Sequence, residues 1–338
     1  MWACEIFTAR LEVDRMKSQA SLLERTVIND QKLIEEFTFD CGLRKLSEES
    51  IRSYKSVLKT TSTFLGHNKL SLLNLDKYTL KQLLNYLTND RGFCVQTLEN
   101  YFSALSSFYD YLAYEGLTDR NPILPFRKRY IRQYKADGHS LDQRRKLISV
   151  EQMSMLINSI LDPRDKAIVT LLAKTGIRRK ELINIDIDDI DSEEQSIRLK
   201  PHPKRSNLTV FFDDECARIL RRWLSARKNY NVALGCNALF VGEQGERLGR
   251  HGVYSIVTKH AERVGLHNPK SEKMEDHFSP HCCRHWFTTH LRRNGLRREF
   301  LKELRGDARK EAVDIYDHID KKELRIAYLA AVPLLGID

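Results

Sequence analysis

Residues 281–290 read His-Cys-Cys-Arg-His-Trp-Phe-Thr-Thr-His, and the pair Ser279-Pro280 stands directly before them. Proline suits the first position of a helix, where its missing N–H costs nothing. The Ser279 hydroxyl can accept a hydrogen bond from a free amide of the first turn. A glycine at position 295 can adopt the left-handed backbone that follows a helix. These signals predict a helix from about Pro280 to about residue 293.

One face of this predicted helix carries imidazole and guanidinium groups. Positions i, i+3 and i+4 lie on the same side of a helix, which groups His281, Arg284 and His285. Free amides and the positive end of the helix dipole add to a guanidinium fork, so this end of the helix favours an anion. The residues that fall mostly on other faces and can pack inward are Cys282, Cys283, Trp286 and Phe287. Taken alone, such a group is more often an ordinary polar surface, so the hypothesis depends on other parts of the chain.

Two other segments make the pattern specific. Residues 175–182 read Thr-Gly-Ile-Arg-Arg-Lys-Glu-Leu, and residues 312–318 read Ala-Val-Asp-Ile-Tyr-Asp-His. Together with the His-x-x-Arg-His of residues 281–285, they resemble the tyrosine recombinase (phage integrase) family, in particular its archaeal or viral integrases. The resemblance covers roughly residues 45–330 and is most specific in these three blocks. It implies a mainly α-helical two-domain DNA clamp, with a small antiparallel β-sheet in the tyrosine recombinase catalytic fold.

Length and composition agree with this implication. The 338 residues are enough for about two domains, and the formal charge of +10 favours a polyanionic partner. Lys and Arg are spread along the chain, which suits an extended binding surface. The seven cysteines are irregularly spaced, which indicates free thiols in a reducing compartment. Because no apolar run approaches about 18 residues, we expect no membrane span.

Helix signals and composition, together with the domains that the resemblance implies, divide the chain into five predicted segments. They are a helical arm over 1–43, a helical SAM-like core-binding domain over 44–130, a basic linker over 131–148, the catalytic domain over 149–330 and a tail over 331–338. The predicted helix caps include Ser47, Thr79 in a Thr-x-x-Gln capping box and Ser149 in a Ser-x-x-Gln box. Residues 196–199 and 208–212 alternate as two strands.

Both ends of the chain leave alternatives open. Residues 5–37 have loosely helical apolar spacing, which fits either an arm for partner contacts or a helix packed on its own domain. The segment from Lys321 to Leu335 is amphipathic to apolar. It docks either on its own domain or, as the resemblance implies, in a neighbouring protomer.

The resemblance also implies a set of catalytic residues. Arg178 and Arg284 clamp the nonbridging oxygens of a DNA phosphodiester and offset the charge that grows toward the transition state. His281 adds a hydrogen bond and can exchange a proton. Tyr316 attacks the phosphorus and forms a 3′-phosphotyrosyl bond, because nearby cations favour its phenolate. Glu181 is then either the partner that fixes a buried arginine or a solvent-facing acid.

A lysine completes the predicted set. In the family, a β-hairpin carries a lysine that protonates the departing 5′-hydroxyl, and here Lys200 and Lys204 are both candidates. We choose Lys204 because it lies beyond the strand and nearer the tip. Tyr328 is a rival nucleophile, but its apolar neighbours indicate a packing residue.

One position departs from the family pattern. The residue nine before the nucleophile is usually His or Trp, whereas here it is Asp307. An ionised carboxylate cannot donate a hydrogen bond to phosphate and would repel it. Asp307 is therefore expected to orient an Arg or Lys, with Arg305 or His285 taking the phosphate contact, or it indicates a weakened enzyme.

These observations predict a site-specific DNA recombinase or integrase that needs no cofactor and no metal ion. The predicted partners are double-stranded DNA and three further copies of the chain, in a tetramer on paired sites, in the cytoplasm with the nucleoid. The sequence does not identify a target site or an accessory DNA-bending factor. The alternatives are a nicking–closing enzyme of the type IB topoisomerase kind and a DNA-binding relative that has lost catalysis.

Overall fold

Two units make up the chain, Met1–Ser140 and Leu141–Asp338. The computed structural model describes residues 30–132, 146–201, 205–307 and 319–337. Both units are mainly helical, and the second also holds a small antiparallel β-sheet, as predicted. Within the four described ranges, we find no helix with the length and apolar character needed to cross a membrane.

Two helices in the described part of the first unit begin at a side-chain cap. The helices of this unit are α1 (Asp30–Leu43), α2 (Glu48–His67), α3 (Lys77–Asn85), α4 (Val95–Tyr114) and α5 (Ile123–Phe126), with π-helical turns at Tyr86–Asp90 and Arg127–Ile131. Ser47 caps α2 as predicted, because its hydroxyl accepts the backbone N–H of Ser50 at 3.2 Å. The capping box predicted at Thr79 is wrong, since Asp76 is the N-cap of α3. The Asp76 carboxylate accepts both the backbone N–H and the hydroxyl of Thr79, at 2.8 and 2.7 Å. A carboxylate also suits the positive end of the helix dipole better than a hydroxyl does.

The core of the first unit is rich in aromatic side chains. Tyr101, Phe102, Phe108 and Tyr109 of α4 are buried and belong to this core. Phe37 of α1 packs edge-on against Phe108, with ring centroids 5.3 Å apart. Residues 30–43 therefore pack on their own unit, whereas the rest of the predicted arm lies outside the described ranges.

The second unit surrounds one buried helix. Its elements are α6 (Val150–Asn158), α7 (Pro163–Thr175), α8 (Arg179–Ile183), β1 (Ile190–Asp191), β2 (Ser196–Arg198), β3 (Thr209–Phe211), α9 (Asp214–Arg227), α10 (Arg250–Arg263), α11 (Pro280–Arg293), α12 (Arg298–Arg305) and α13 (Lys321–Ala331). Residues 167–175 of α7 are all buried, so this helix has no solvent-facing stripe there and packs against both α9 and α11. Ser149 forms the capping box predicted for α6.

The sheet has the order β1-β2-β3, with both pairs antiparallel and Ile197 opposite Val210. The two predicted strands are present, each a little shorter than predicted. β1 was not predicted, because a two-residue strand is too short to show alternation. The connection from β2 to β3 includes residues 202–204, which lie outside the described ranges.

The C-terminal segment packs on its own unit in this chain. The Tyr328 hydroxyl of α13 donates to the Lys174 carbonyl at 2.9 Å. Beyond α13, the Glu215 carboxylate accepts the backbone N–H groups of Leu335 at 2.9 Å and Gly336 at 2.6 Å. Lys174 is fully buried and donates to Glu215 at 2.5 Å. The segment is thus held by a buried ion pair as well as by apolar packing.

Candidate active site

Arg178 stands at the junction between α7 and α8. Gly176 ends α7 with a left-handed backbone (φ 61°), and a Cβ at this position would collide with the ring of Phe287. Arg178 is the N-cap of α8. Its backbone N–H donates to Glu181 Oε2 at 2.7 Å, and its guanidinium donates to Glu181 Oε1 at 3.0 Å. Glu181 therefore fixes an arginine and is not a solvent-facing acid.

A second arginine, Arg205, reaches the same carboxylate from the far end of the β2–β3 connection. Its Nη1 donates to Glu181 Oε2 at 3.1 Å, and its side chain is fully buried. The same guanidinium donates to the Leu304 and Arg305 carbonyls at 3.0 and 3.1 Å, which lack partners within α12 because they end the helix. Burial raises the pKa of Glu181, but Arg205 and then Arg178 outweigh burial and hold that pKa below its ordinary value. The carboxylate is thus anionic at neutral pH.

Arg284 lies on α11, and its side chain is buried, with 6% of its surface exposed. Its Nη1 donates to the Gly176 carbonyl at 2.7 Å, and its Nη2 donates to the Arg305 carbonyl at 2.9 Å. Burial, and then the positive charges of Arg178 and Arg305, lower the pKa of Arg284 to about 10. The guanidinium remains charged at neutral pH, and protein carbonyls fix its plane.

Asp307 lies between the two predicted phosphate ligands. Its Oδ1 is 3.3 Å from Nη2 of Arg284 and 3.6 Å from Nη2 of Arg178. Its Oδ2 is 3.1 Å from Nε of Arg305. One carboxylate therefore faces three guanidinium groups, and the two predicted phosphate-binding arginines converge on a single anionic oxygen.

The helix that carries Arg284 starts where the sequence predicts. It runs from Pro280 to Arg293, and its inward-facing residues Cys282, Cys283, Trp286 and Phe287 are all buried. The predicted cap by the Ser279 hydroxyl is wrong: that hydroxyl lies 3.7 Å from the Cys282 sulfur, and the Ser279 carbonyl accepts the Cys282 N–H at 2.8 Å. His281 and His285 are exposed, with ring centroids 4.9 Å apart in an edge-to-face arrangement.

Of the two lysine candidates, Lys200 lies within the described ranges and forms ion pairs. Lys200 donates to Asp189 at 2.9 Å and lies 3.1 Å from Asp186, and these hydrogen bonds raise its pKa. Lys204, the predicted acid, lies outside the described ranges. The choice between the two lysines stays a prediction.

The predicted nucleophile, Tyr316, also lies outside the described ranges, which stop at Asp307 and resume at residue 319. The rival, Tyr328, is fully buried, and burial raises its pKa well above the ordinary value. A buried neutral phenol that donates to a backbone carbonyl is a packing residue, as its apolar neighbours indicated.

Sequence reasoning missed the contribution of Arg205. In the sequence it is one of several charged residues in a Pro-containing connection, and no local pattern distinguishes it. Its partners Glu181, Leu304 and Arg305 are 24, 99 and 100 residues away along the chain. Such a convergence has no local signal, because it depends on how distant elements pack.

The described part of the chain contains no cluster of metal-ligating side chains. Its six cysteines are free thiols, and no three His, Cys, Asp or Glu side chains are arranged there to hold a metal ion. Among the described residues, the guanidinium groups of Arg178, Arg205, Arg284 and Arg305 bring positive charge to the site.

Comparisons with known proteins give matches in both units of the chain. The family model described as Phage integrase family matches residues 146–323, and that described as Phage integrase, N-terminal SAM-like domain matches residues 41–116. Tyrosine recombinase XerC of Alcanivorax borkumensis is 28% identical over 296 residues, covering 86% of this chain and 90% of that protein. Tyrosine recombinase XerD of Oceanobacillus iheyensis is 26% identical over 299 residues, covering 86% and 94%.

Solved structures share the fold. The XerH site-specific recombinase bound to its difH substrate before cleavage gives a TM-score of 0.60 at 21% identity, over 88% of this chain and 84% of that one. The Tn1549 transposon integrase in complex with transposon right end DNA gives 0.61 at 16% identity, over 87% and 97%. The first family model covers more than half of the sequence. The chain therefore belongs to the phage integrase family and is a tyrosine-type site-specific recombinase, an enzyme that cuts and rejoins DNA.

Proposed function

We propose that Tyr316 is the nucleophile of this recombinase and that Arg178, Arg284 and His281 bind the scissile phosphate of double-stranded DNA. The observation that carries the proposal is the convergence of Arg178 and Arg284 on one Asp307 oxygen, at 3.6 and 3.3 Å. Two guanidinium groups that face one anionic oxygen from separate elements can hold the nonbridging oxygens of a phosphodiester. The recombinases solved with DNA support DNA as the substrate.

The arginines act by electrostatic stabilisation. A phosphodiester gains negative charge on its nonbridging oxygens as the fifth bond to phosphorus forms. Arg178 and Arg284 are held by Glu181 and by carbonyls, so their positive ends need little reorganisation when that charge develops. His281, on the exposed face of α11 at its first turn, adds a hydrogen bond to the same phosphate.

Each bond broken is matched by one formed. The Tyr316 hydroxyl gives its proton to His281, its oxygen bonds to phosphorus, and the bond from phosphorus to the 5′-oxygen breaks. A lysine of the β2–β3 connection, which we assign to Lys204, protonates that oxygen. The 5′-hydroxyl of a second strand then reverses these steps and releases Tyr316, so no external energy source is required.

We assign a role to each segment of the chain and a set of partners that this reaction requires. We assign the helical unit over 44–130 to DNA binding, 131–148 to a linker, 149–330 to catalysis and 331–338 to a tail. Exchange between two duplexes cuts four strands, so four copies of the chain on two paired sites form the active assembly. The DNA substrate implies that the protein works with the nucleoid in the cytoplasm.

Covalent trapping tests the nucleophile. The substrates are duplexes tiled across the DNA that flanks the gene, each with a nick near a possible cleavage point. Cleavage releases a short fragment from such a duplex, so the covalent adduct cannot be religated and accumulates. We expect a shifted band on denaturing gels with the wild-type protein and with Tyr328→Phe, and none with Tyr316→Phe. A band that persists in Tyr316→Phe would assign the nucleophile to another residue. Exchange between two-site plasmids, rather than relaxation of a single-site plasmid, excludes a topoisomerase.

A further inference from the structure

Asp307 is the one carboxylate in the described ranges that lies within ion-pair distance of both Arg178 and Arg284. We propose that Asp307 is an internal counter-ion: in the DNA-free protein it occupies the place of a phosphate oxygen between these arginines, and DNA must displace it to bind productively. The inference rests on the proposed function, because it takes these arginines to be the phosphate ligands.

Asp307 is not needed to hold the arginines in place. Arg284 donates to the Gly176 and Arg305 carbonyls, and Arg178 donates to Glu181. These bonds measure 2.7 to 3.0 Å, and together they fix one edge of each guanidinium. Asp307 contacts Nη2 of both arginines, and we take these nitrogens to be the ones that a substrate anion would use.

The contacts of Asp307 with Arg178 and Arg284 are also the loosest in the cluster, whereas its contact with Arg305 is shorter, at 3.1 Å. Charge-assisted N–H···O bonds are usually about 2.7–2.9 Å long. The 3.3 and 3.6 Å separations from Arg284 and Arg178 are therefore long for such bonds. The Asp307 side chain is 31% exposed, whereas that of Arg284 is 6% exposed. The Asp307 carboxylate is thus held loosely by Arg178 and Arg284 and is partly exposed, so a ligand that binds these arginines more tightly can replace it.

The backbone at this point is fixed, so only the side chain has to move. The Asp307 N–H donates to the Lys302 carbonyl at 3.1 Å, and the Asp307 carbonyl accepts the Ser206 hydroxyl at 2.9 Å. Gly306 before it adopts a left-handed backbone (φ 63°). Rotation about the Cα–Cβ bond would move the carboxylate away from the arginines without unfolding α12.

Two anions cannot share this position. A phosphate oxygen between Arg178 and Arg284 would meet the Asp307 carboxylate at contact distance, and like charges in a partly buried site repel strongly. Binding is therefore competitive. If Asp307 lies between Arg178 and Arg284 about nine-tenths of the time, the affinity of these arginines for any phosphate is reduced about tenfold. A phosphate that is not held by the rest of the DNA interface would then fail to engage the arginines.

Inorganic phosphate tests the competition without DNA or catalysis. Thermal unfolding of the full chain is followed while phosphate replaces chloride at constant ionic strength. For Asp307→Asn we expect half-saturation at a phosphate concentration about tenfold below that of wild type. Glu323→Gln is the matched control, because it removes one carboxylate from an exposed ion pair with Arg297 in the same unit. We expect it to titrate like wild type.

Two further variants test whether the change in phosphate affinity arises at Arg178 and Arg284. Asp307→Ser, which removes the charge with a smaller side chain, should repeat the tenfold change even if the amide of Asn packs poorly. Adding Arg178→Gln to Asp307→Asn should abolish the gain. Equal phosphate affinity in wild type and both Asp307 variants, or a gain that survives Arg178→Gln, would overturn the proposal. Neither result depends on covalent trapping, so failure of Tyr316 as the nucleophile is distinguished from failure of the counter-ion.

Discussion

Glu181 accepts two hydrogen bonds from Arg178, one from the backbone N–H at 2.7 Å and one from the guanidinium at 3.0 Å. The first bond fixes the start of α8, and the second fixes the side chain that leaves from the same residue. Glu181 also accepts Arg205 at 3.1 Å, and through Arg205 it is joined to the end of α12. One buried carboxylate thus connects three segments of the proposed active site.

Replacing Glu181 by Gln should therefore lower the stability of the second unit. Gln keeps one acceptor but leaves the buried Arg205 without a compensating charge, and removing one partner of such a pair costs about 2–4 kcal/mol of unfolding free energy. Urea unfolding at pH 7 followed by tryptophan fluorescence measures this, since Trp223 and Trp286 both lie in that unit. A loss no larger than that of Glu323→Gln, an exposed pair expected to cost under about 1 kcal/mol, would contradict it.

The same substitution should change the pH dependence of stability. The pKa of Glu181 is lower in the folded protein than its ordinary value, so its contribution is fully present above the unfolded pKa of about 4.3. That contribution is lost as the pH falls through the folded pKa. The difference between wild type and Glu181→Gln should therefore be constant from pH 7 to about 5 and shrink below that. Urea midpoints at several pH values measure it, and a difference that grows on acidification would be inconsistent with this sign.

Gly176 offers a separate test of how Arg284 is positioned. Alanine at this position must adopt a positive φ and would also collide with Phe287. Gly265 has a similar φ of 74° with nothing near its missing Cβ, so Gly265→Ala carries the conformational cost alone, about 1 kcal/mol. We expect Gly176→Ala to cost about 2–4 kcal/mol and to reduce covalent trapping, because the Gly176 carbonyl holds Arg284. Equal losses in the two variants would mean that the close packing on Phe287 contributes little.

Local sequence signals predicted most helix starts, and where such a prediction failed the cause is physical. Ser47 caps α2 and Pro280 begins α11 as expected, because both signals depend only on neighbouring residues. The Thr79 prediction failed because Asp76 is a stronger acceptor that lies within the same turn. For the site, the sequence and the family resemblance together predicted Arg178 and Arg284. The convergence of Arg205 on Glu181, and of Asp307 on the two arginines that we propose as phosphate ligands, depends on tertiary packing.

The buried pair that holds the C-terminal segment can be tested in the same way as Glu181. Glu215 accepts backbone N–H groups of that segment as well as Lys174, and Lys174 also donates to the Pro333 carbonyl at 2.7 Å. Glu215→Gln should therefore loosen residues 333–337 and lower the unfolding free energy by about 2–4 kcal/mol. Carboxypeptidase digestion measures the first effect, with Glu323→Gln as the control. Unchanged digestion would show that apolar packing of Leu335 and Ile337 holds the segment by itself.

The two lysine candidates can be separated by changing the leaving group. In a substrate whose bridging 5′-oxygen is replaced by sulfur, the departing thiolate needs no proton, so loss of the general acid has no effect on cleavage. On ordinary DNA, Lys204→Ala should slow cleavage about 10²–10⁴-fold, and the sulfur substrate should restore it. Lys200, paired with Asp186 and Asp189, serves as the matched control, and Lys200→Ala should show neither the large loss nor the selective rescue. If Lys200→Ala is the variant that sulfur rescues, the acid is Lys200, and its two carboxylate partners must release it when DNA binds.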